Sequence, residues 1–298
     1  MTENDPNEVP RGIVWLASYP KSGNTWTRAF LHNLLQLMRG SGRSAQDINS
    51  MNEFTTWDLS SERYEKIIGK HPMEAEQSEI AEARLKVQEQ IADDCEGLSF
   101  VKTHNALVMD RGFPTINFAA TSGAIYIVRN PLDVAVSYSH HMSKTLDDTI
   151  DAMGSDNVET PVTEKSVYEV YGSWSQHVHS WTRNDHRAIY IMRYEDMKAD
   201  PRKTFGALAS HLLLRPTDEQ LDAAIEMSSF EKLQEQEKKE GFREKPKKAK
   251  RFFREGRTDQ WREVLSPQQF RRIVDDHREQ MERFGYWPID YEAKQAGT

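Results

Sequence analysis

Tyr19-Pro20-Lys21-Ser22-Gly23-Asn24-Thr25-Trp26 gathers one ammonium, several neutral hydrogen-bond donors and two backbone breakers into one short stretch. The apolar run Ile13 to Ala17 before it has the composition of a buried parallel strand. Pro20 and Gly23 end that run, and Trp26, Ala29, Phe30, Asn33, Leu34 and Leu37 then recur at helical spacing. The piece reads strand, tight turn, helix. Such a turn aims free backbone N–H groups and the positive end of a helix at one point, which is an anion site. Lys21 adds charge, and Ser22, Asn24 and Thr25 add donors. The expected ligand is a phosphate or a similar oxyanion. The Walker arrangement Gly-x4-Gly-Lys-[Ser/Thr] is absent, because the lysine here precedes the glycine.

The elements that must position this turn alternate between strand and helix. Leu98–Val101 and Gly123–Val128 are expected strands, the second followed by a turn at Asn130-Pro131 and a helix from Leu132. A further strand is expected at Ala188–Met192. Helices are expected at 167–183, 202–213 and 218–227, and from Pro267, capped by Ser266, to about Phe284. Residues 45–97 are acidic and helical, with Ile80, Ala83, Val87 and Ile91 as a buried stripe. Gly40–Ser44 and the polar stretch 145–163 read as loops, the second mobile. The pattern implies an α/β fold, a single domain with a central parallel β-sheet flanked by helices. Residues 1–11 are expected to be a flexible N-terminal tail, 12–288 the domain and 289–298 a C-terminal tail.

Segment 237–257 is strongly basic in an otherwise acidic chain, and Phe252-Phe253 inside it suggests a lid that closes on something anionic. Self-repulsion among its lysines and arginines would keep it mobile until a nucleotide enters.

Four strings together resemble the sulfotransferase family that uses 3′-phosphoadenosine 5′-phosphosulfate (PAPS). Residues 19–26 resemble its 5′-phosphosulfate loop, with Asn24 in place of a threonine. Phe100-Val-Lys-Thr-His104 resembles its second-strand motif. Val128-Arg129-Asn-Pro-Leu-Asp-Val-Ala-Val-Ser137 resembles its 3′-phosphate motif. Arg251-Phe-Phe-Arg-Glu-Gly256, with Asp259-Gln-Trp261, resembles its C-terminal nucleotide-covering segment, with Glu255 in place of lysine. Gly172–Val178 and Arg193–Asp196 are further family-like strings. The match runs from about residue 13 to 261.

The resemblance implies a P-loop nucleotide-kinase-like sulfotransferase fold. It also implies that a sulfonate group passes from PAPS to a hydroxyl or amine of a small-molecule acceptor, leaving 3′-phosphoadenosine 5′-phosphate (PAP). On this reading His104 is the catalytic base. Lys21 steadies the leaving phosphate and Lys102 shares the charge of the transferring group. Lys21, Ser22, Gly23, Asn24, Thr25 and Trp26 hold the 5′ side. Arg129, Ser137, Arg254 and Gly256 hold the 3′-phosphate, and Tyr194, Ser228, Phe230 and Phe253 lie about the base and lid. A histidine suits the base role because its reference pKa, about 6.5, leaves it largely neutral near pH 7.

Composition narrows the alternatives. The chain has 298 residues, 37% of them apolar, and a net charge of −8, which argues against a general nucleic-acid binder. No run is long enough for a membrane span, and the single cysteine, Cys95, cannot form an intramolecular disulfide. A cytoplasmic location is expected. His140-His141 and His177-x-His179 lack metal-ligand spacing, so no metal is expected. Asp147-Asp148 reads as a solvated pair, and Trp174 and Trp181 as core. A kinase and a catalytically silent nucleotide-binding module remain as alternatives. The family's C-terminal dimer signature is not evident, so a homodimer is possible but unsupported.

Overall fold

The computed structural model describes residues 11–40, 45–246 and 249–287. Both expected tails, apart from Arg11, lie outside these residues, as do residues 41–44, Lys247 and Lys248.

Strand β1 (Gly12–Ser18) is buried along its whole length, as its unbroken apolar run requires. It pairs in parallel with β3 (Leu98–Thr103) on one side and β6 (Thr121–Val128) on the other. The two-residue β2 (Thr55–Thr56) extends the sheet beyond β3, and β7 (Ile189–Arg193) extends it beyond β6. The order is therefore β2-β3-β1-β6-β7, every pairing parallel. A small antiparallel hairpin joins β4 (Met109–Asp110) and β5 (Phe113–Pro114) apart from the sheet.

Side-chain alternation along β1 builds two cores. Ile13, Trp15, Ala17 and, beyond the strand, Tyr19 point to one face, where α4 (Gln77–Asp93), α5 (Pro131–Met142) and α7 (Trp174–Thr182) cover them. The C-terminal α13 (Pro267–Arg283) joins that layer. Val14 and Leu16 point to the other face, beneath α1 (Asn24–Met38), α9 (Pro201–His211) and α10 (Asp218–Met227). Each fully buried large apolar side chain contributes roughly 1.5–3 kcal/mol. The expected stripe Ile80, Ala83, Val87, Ile91 is buried, as are Trp174 and Trp181, and Ser266 caps α13 with Pro267 at its first turn.

Two expectations need correction. Residues 145–163 are not all loop: Leu146–Gly154 forms α6, whose first N–H groups are served by the Thr145 side chain. Thr145 followed by Asp147-Asp148 is an N-cap signature that the polar composition obscured. The expected helix from Val167 begins only at Trp174. Gly172 has φ 61°, a left-handed value that breaks a helix, and Ser173 then caps α7. Residues 167–172 are not helical, and Glu169 and Tyr171 among them line the site.

All strands being parallel, their carboxyl ends share one edge. Lys21 follows β1, His104 follows β3, Arg129 follows β6 and Tyr194 follows β7. The chain moves from β1 to β3 on one side and then to β6 on the other, so β1 ends at the point where strand order reverses. That is where open α/β sheets bind ligands.

Candidate active site

The turn after β1 is built for an anion. Gly23 (φ 110°) stands at the start of α1, which has no side-chain cap, so its first N–H groups remain available. A Cβ on Gly23 would come within 2.8 Å of the Tyr194 ring. Lys21 itself has φ 66°, costly for a residue with a Cβ, and its carbonyl accepts a 2.9 Å bond from Arg129 Nη1. Burial and the nearby charges of Arg129 and Lys102 lower the Lys21 ammonium to about 7. Its Nζ rests 3.9 Å from the centre of the Phe252 ring.

His104 has a defined tautomer. Its Nδ1 lies 2.7 Å from the Ser18 carbonyl, which can only accept, so Nδ1 carries the hydrogen and Nε2 is the basic nitrogen. The same logic fixes its support. His177 Nε2 donates to the His104 carbonyl at 3.1 Å, and Tyr126 donates to His177 Nδ1 at 2.9 Å. Burial, then the Lys102 charge, holds the His104 imidazolium well below its ordinary pKa, so the ring is neutral.

A cavity of about 300 Å³ joins these groups. Its lining includes Lys21, Gly23, Asn24, Thr25 and Trp26 from the turn, Lys102 and His104 from the end of β3, and Arg129, Ser137 and Tyr194. Phe230, Phe253, Arg254 and Gly256 also line it. Arg129 is 5% exposed, forms no ion pair among the described residues, and leaves Nε without a partner. Its guanidinium lies 4.2 Å from the centre of the Tyr194 ring. A Cβ on Gly256 (φ 60°) would meet the Phe230 ring at 2.3 Å, so this position admits only glycine.

Two expected residues stand apart. Ser22 is fully buried beneath the loop with an unpartnered hydroxyl, and Ser228 turns its hydroxyl back to the Ala224 carbonyl at 2.8 Å. Neither lines the cavity. Asn24 does, but its amide nitrogen donates inward to the Leu16 carbonyl at 2.8 Å, leaving the backbone N–H to serve a ligand. Reasoning from sequence missed Tyr138, His141, Glu169, Tyr171 and Glu244, which also line the cavity.

The described part of the basic segment is folded against α11 (Phe230–Glu240). The Glu237 carboxylate accepts the N–H groups of Phe252 at 2.7 Å and Phe253 at 2.9 Å, and Gln234 donates to the Phe253 carbonyl at 2.9 Å. Acidic residues thus offset the self-repulsion expected from its lysines and arginines. Glu255, at the departure from the family pattern, pairs with both Arg254 and Arg257. Glu237→Ala leaves two N–H groups without their acceptor, each bond being worth roughly 1.5–3 kcal/mol. The Phe252 and Phe253 amides are expected to exchange hydrogen faster in that variant, and nucleotide affinity to fall by about tenfold or more. Unchanged exchange would show that Glu237 does not hold the lid.

One edge of a parallel sheet thus carries an uncapped helix start, a neutral histidine and a buried arginine without an ion pair among the described residues, at the place where open α/β sheets bind ligands. Residues 12–285 match the sulfotransferase domain model, and the chain belongs to that family. It is a transferase of the sulfotransferase class. The chain is 27% identical to mouse sulfotransferase 1B1 over 234 residues, which is 75% of this chain and 66% of that protein. That match thus spans just under two thirds of the relative's length. The chain is 24% identical to dog sulfotransferase 1A1 over 279 residues, 91% of this chain and 83% of that one. Two solved structures share the fold. Mouse sulfotransferase SULT7A1 complexed with PAP matches with a TM-score of 0.58 and 21% identity, over 91% of this chain and 84% of that one. A retinol dehydratase in a complex with retinol and PAP matches with a TM-score of 0.62 and 18% identity, over 92% and 82%.

Proposed function

We propose that this chain moves a sulfonate group from PAPS to a hydroxyl or amine of a small-molecule acceptor, with His104 as general base. The observation that carries the proposal is one cavity lined together by Lys21, Lys102 and a neutral histidine whose Nδ1 is tied back and whose Nε2 has no hydrogen bond among the described residues. The residues present fit the donor. Arg129 is buried without a carboxylate ion pair among the described residues, Arg254 stands in the lid, and the uncapped start of α1 offers N–H groups.

PAPS supplies, when bound, an activated sulfur–oxygen bond to a phosphate leaving group. His104 Nε2 takes the acceptor proton as the acceptor oxygen or nitrogen bonds to sulfur. Lys21 and the turn N–H groups stabilise the electron pair that the breaking sulfur–oxygen bond leaves on the 5′-phosphate. Lys102 balances charge on the sulfonate in flight. The matching groups on the 3′ side are Arg129, Ser137 and Arg254.

Incubation with donor labelled in its sulfonate, against phenols, alcohols, amines and sugars, tests this directly. Labelled acceptor should accumulate with one PAP per transfer. Thermal stabilisation by ATP with Mg2+ but not by PAP would favour the kinase alternative instead.

Lys21 makes a second test possible. Its ammonium sits at about 7 in the free protein, and donor anions raise it. Between the two values nucleotide binding takes up a proton, and affinity falls as pH rises above about 7. Calorimetry at pH 8 in buffers of different ionisation enthalpy should record uptake of up to about one proton per PAP, lost in Lys21→Met. Equal uptake by both proteins would contradict the assignment.

A further inference from the structure

Three carboxylates line the cavity, and their charges are compensated differently. Glu255 is paired with Arg254 and Arg257. Glu244, from the lid, lies 2.8 Å from Arg28 and 3.7 Å from Lys102. Burial alone would raise its carboxyl, but those two cations outweigh burial and hold it below the usual carboxylate range. Glu169 is 7% exposed and forms no ion pair among the described residues. It accepts only dipoles, the His104 backbone N–H at 2.8 Å and the Tyr171 hydroxyl at 3.2 Å. Burial keeps its carboxyl above the ordinary range despite the Lys102 charge nearby. A buried carboxylate without a cation is costly and calls for one.

The position of Glu169 says what could supply that cation. Its carboxylate is held at the backbone of the proposed base, and Tyr171 stands edge-on to the His104 ring at 6.1 Å. Tyr138, His141 and Thr160 line the same cavity. Burial, with Lys21 and Lys102, lowers His141 to about 3, so it brings no positive charge of its own. A carboxylate beside tyrosine rings is a receptor for an ammonium group, which gains from both the charge and the ring faces.

We propose that the acceptor is a hydroxyl compound carrying a protonated amine, with Glu169 as the residue that selects it. This rests on the proposed transfer at His104, because that reading makes this end of the cavity the acceptor end. An anionic acceptor would set a second negative charge against Glu169 and Glu244. A neutral one would leave Glu169 without a cation in contact, with only the more distant Lys102 and Arg84 charges to offset it.

Three phenols that differ only at the end of one side chain test it: tyramine, 4-propylphenol and 3-(4-hydroxyphenyl)propionate. Their binding is measured by calorimetry on the full chain, alone and with saturating PAP. Tyramine is expected to bind at least about tenfold tighter than 4-propylphenol, and the propionate weakest. In Glu169→Gln the tyramine preference should fall to within about twofold. Each protein is read by its own ratio, and the wild-type arm stands whether or not the variant folds. Equal affinities in wild type, or a preference that survives in a folded Glu169→Gln protein, would overturn the proposal. Failure of PAP to bind while tyramine is still preferred would count against the donor reading and leave Glu169 as an ammonium site.

Discussion

His104→Ala is expected to lower turnover by at least about a hundredfold, within the range of a lost general base, while PAP affinity changes by less than about twofold. The separation follows from geometry. The imidazole hydrogen is committed to the Ser18 carbonyl at 2.7 Å, and His177, itself bonded by Tyr126, fixes the His104 backbone through its carbonyl. Only Nε2 is left to act, and nothing on the nucleotide side of the reading depends on it. His104→Gln keeps an amide donor for Ser18 without a basic nitrogen, so it should be as slow as alanine and better folded. The pH profile gives an independent check. Burial and Lys102 depress the imidazolium, so the base is lost only as pH falls through a value below about 6.5. With donor saturating, so that Lys21 stays charged, wild-type kcat/KM for the acceptor should therefore show no loss through this group from pH 7 upward. Turnover near wild type in a folded His104→Ala protein would remove the base assignment.

The anion turn was legible because its signals are local. An apolar run meets Pro20 and Gly23 and then a helical repeat, and each has one plain structural meaning. Parallel strands then bring Lys21, His104, Arg129 and Tyr194 to one edge without further information. The acceptor wall was not legible. Glu169 and Tyr171 enter from a non-helical stretch that read as the start of a helix, and only Gly172-Ser173 hinted at the break. Glu244 belongs to a charge run in which no single carboxylate stands out, and its importance comes from Arg28, 216 residues earlier in the chain. His141 looked like half of an adjacent pair rather than a cavity residue. Ser22 and Ser228 show that a motif position gives a place in the chain and not where a hydroxyl points. Thr145 with Asp147 and Asp148 was a capping signal available in the sequence and masked by the polar residues around it.

Discrimination for the nucleotide's 3′-phosphate is the second large effect expected. Arg129 is buried at the end of β6, stacked on Tyr194 and without a carboxylate ion pair among the described residues. Ser137 follows on α5, and Arg254 reaches the cavity from the lid, where Glu255 and Gln260 now hold it. A phosphate competes for Arg254 with those partners, whereas Arg129 donates to the backbone carbonyls of Lys21 and Arg257 and meets no competing carboxylate among the described residues. Arginine's planar fork offers two parallel donors to phosphate oxygens and stays charged at any working pH. With each charge-assisted bond contributing roughly 1.5–3 kcal/mol, removing the 3′-phosphate should weaken binding by about two decades or more. Arg129→Ala should abolish most of that difference. It should also weaken adenosine 5′-phosphate modestly, because Arg129 Nη1 supports the strained Lys21 carbonyl.

Calorimetry of PAP, adenosine 5′-phosphate and ATP against the wild-type chain, without added Mg2+, tests the central claim most directly. The account predicts PAP bound at least about a hundredfold tighter than either of the others, with the gap largely closed in Arg129→Ala. Comparable affinities for nucleotides with and without the 3′-phosphate would contradict it.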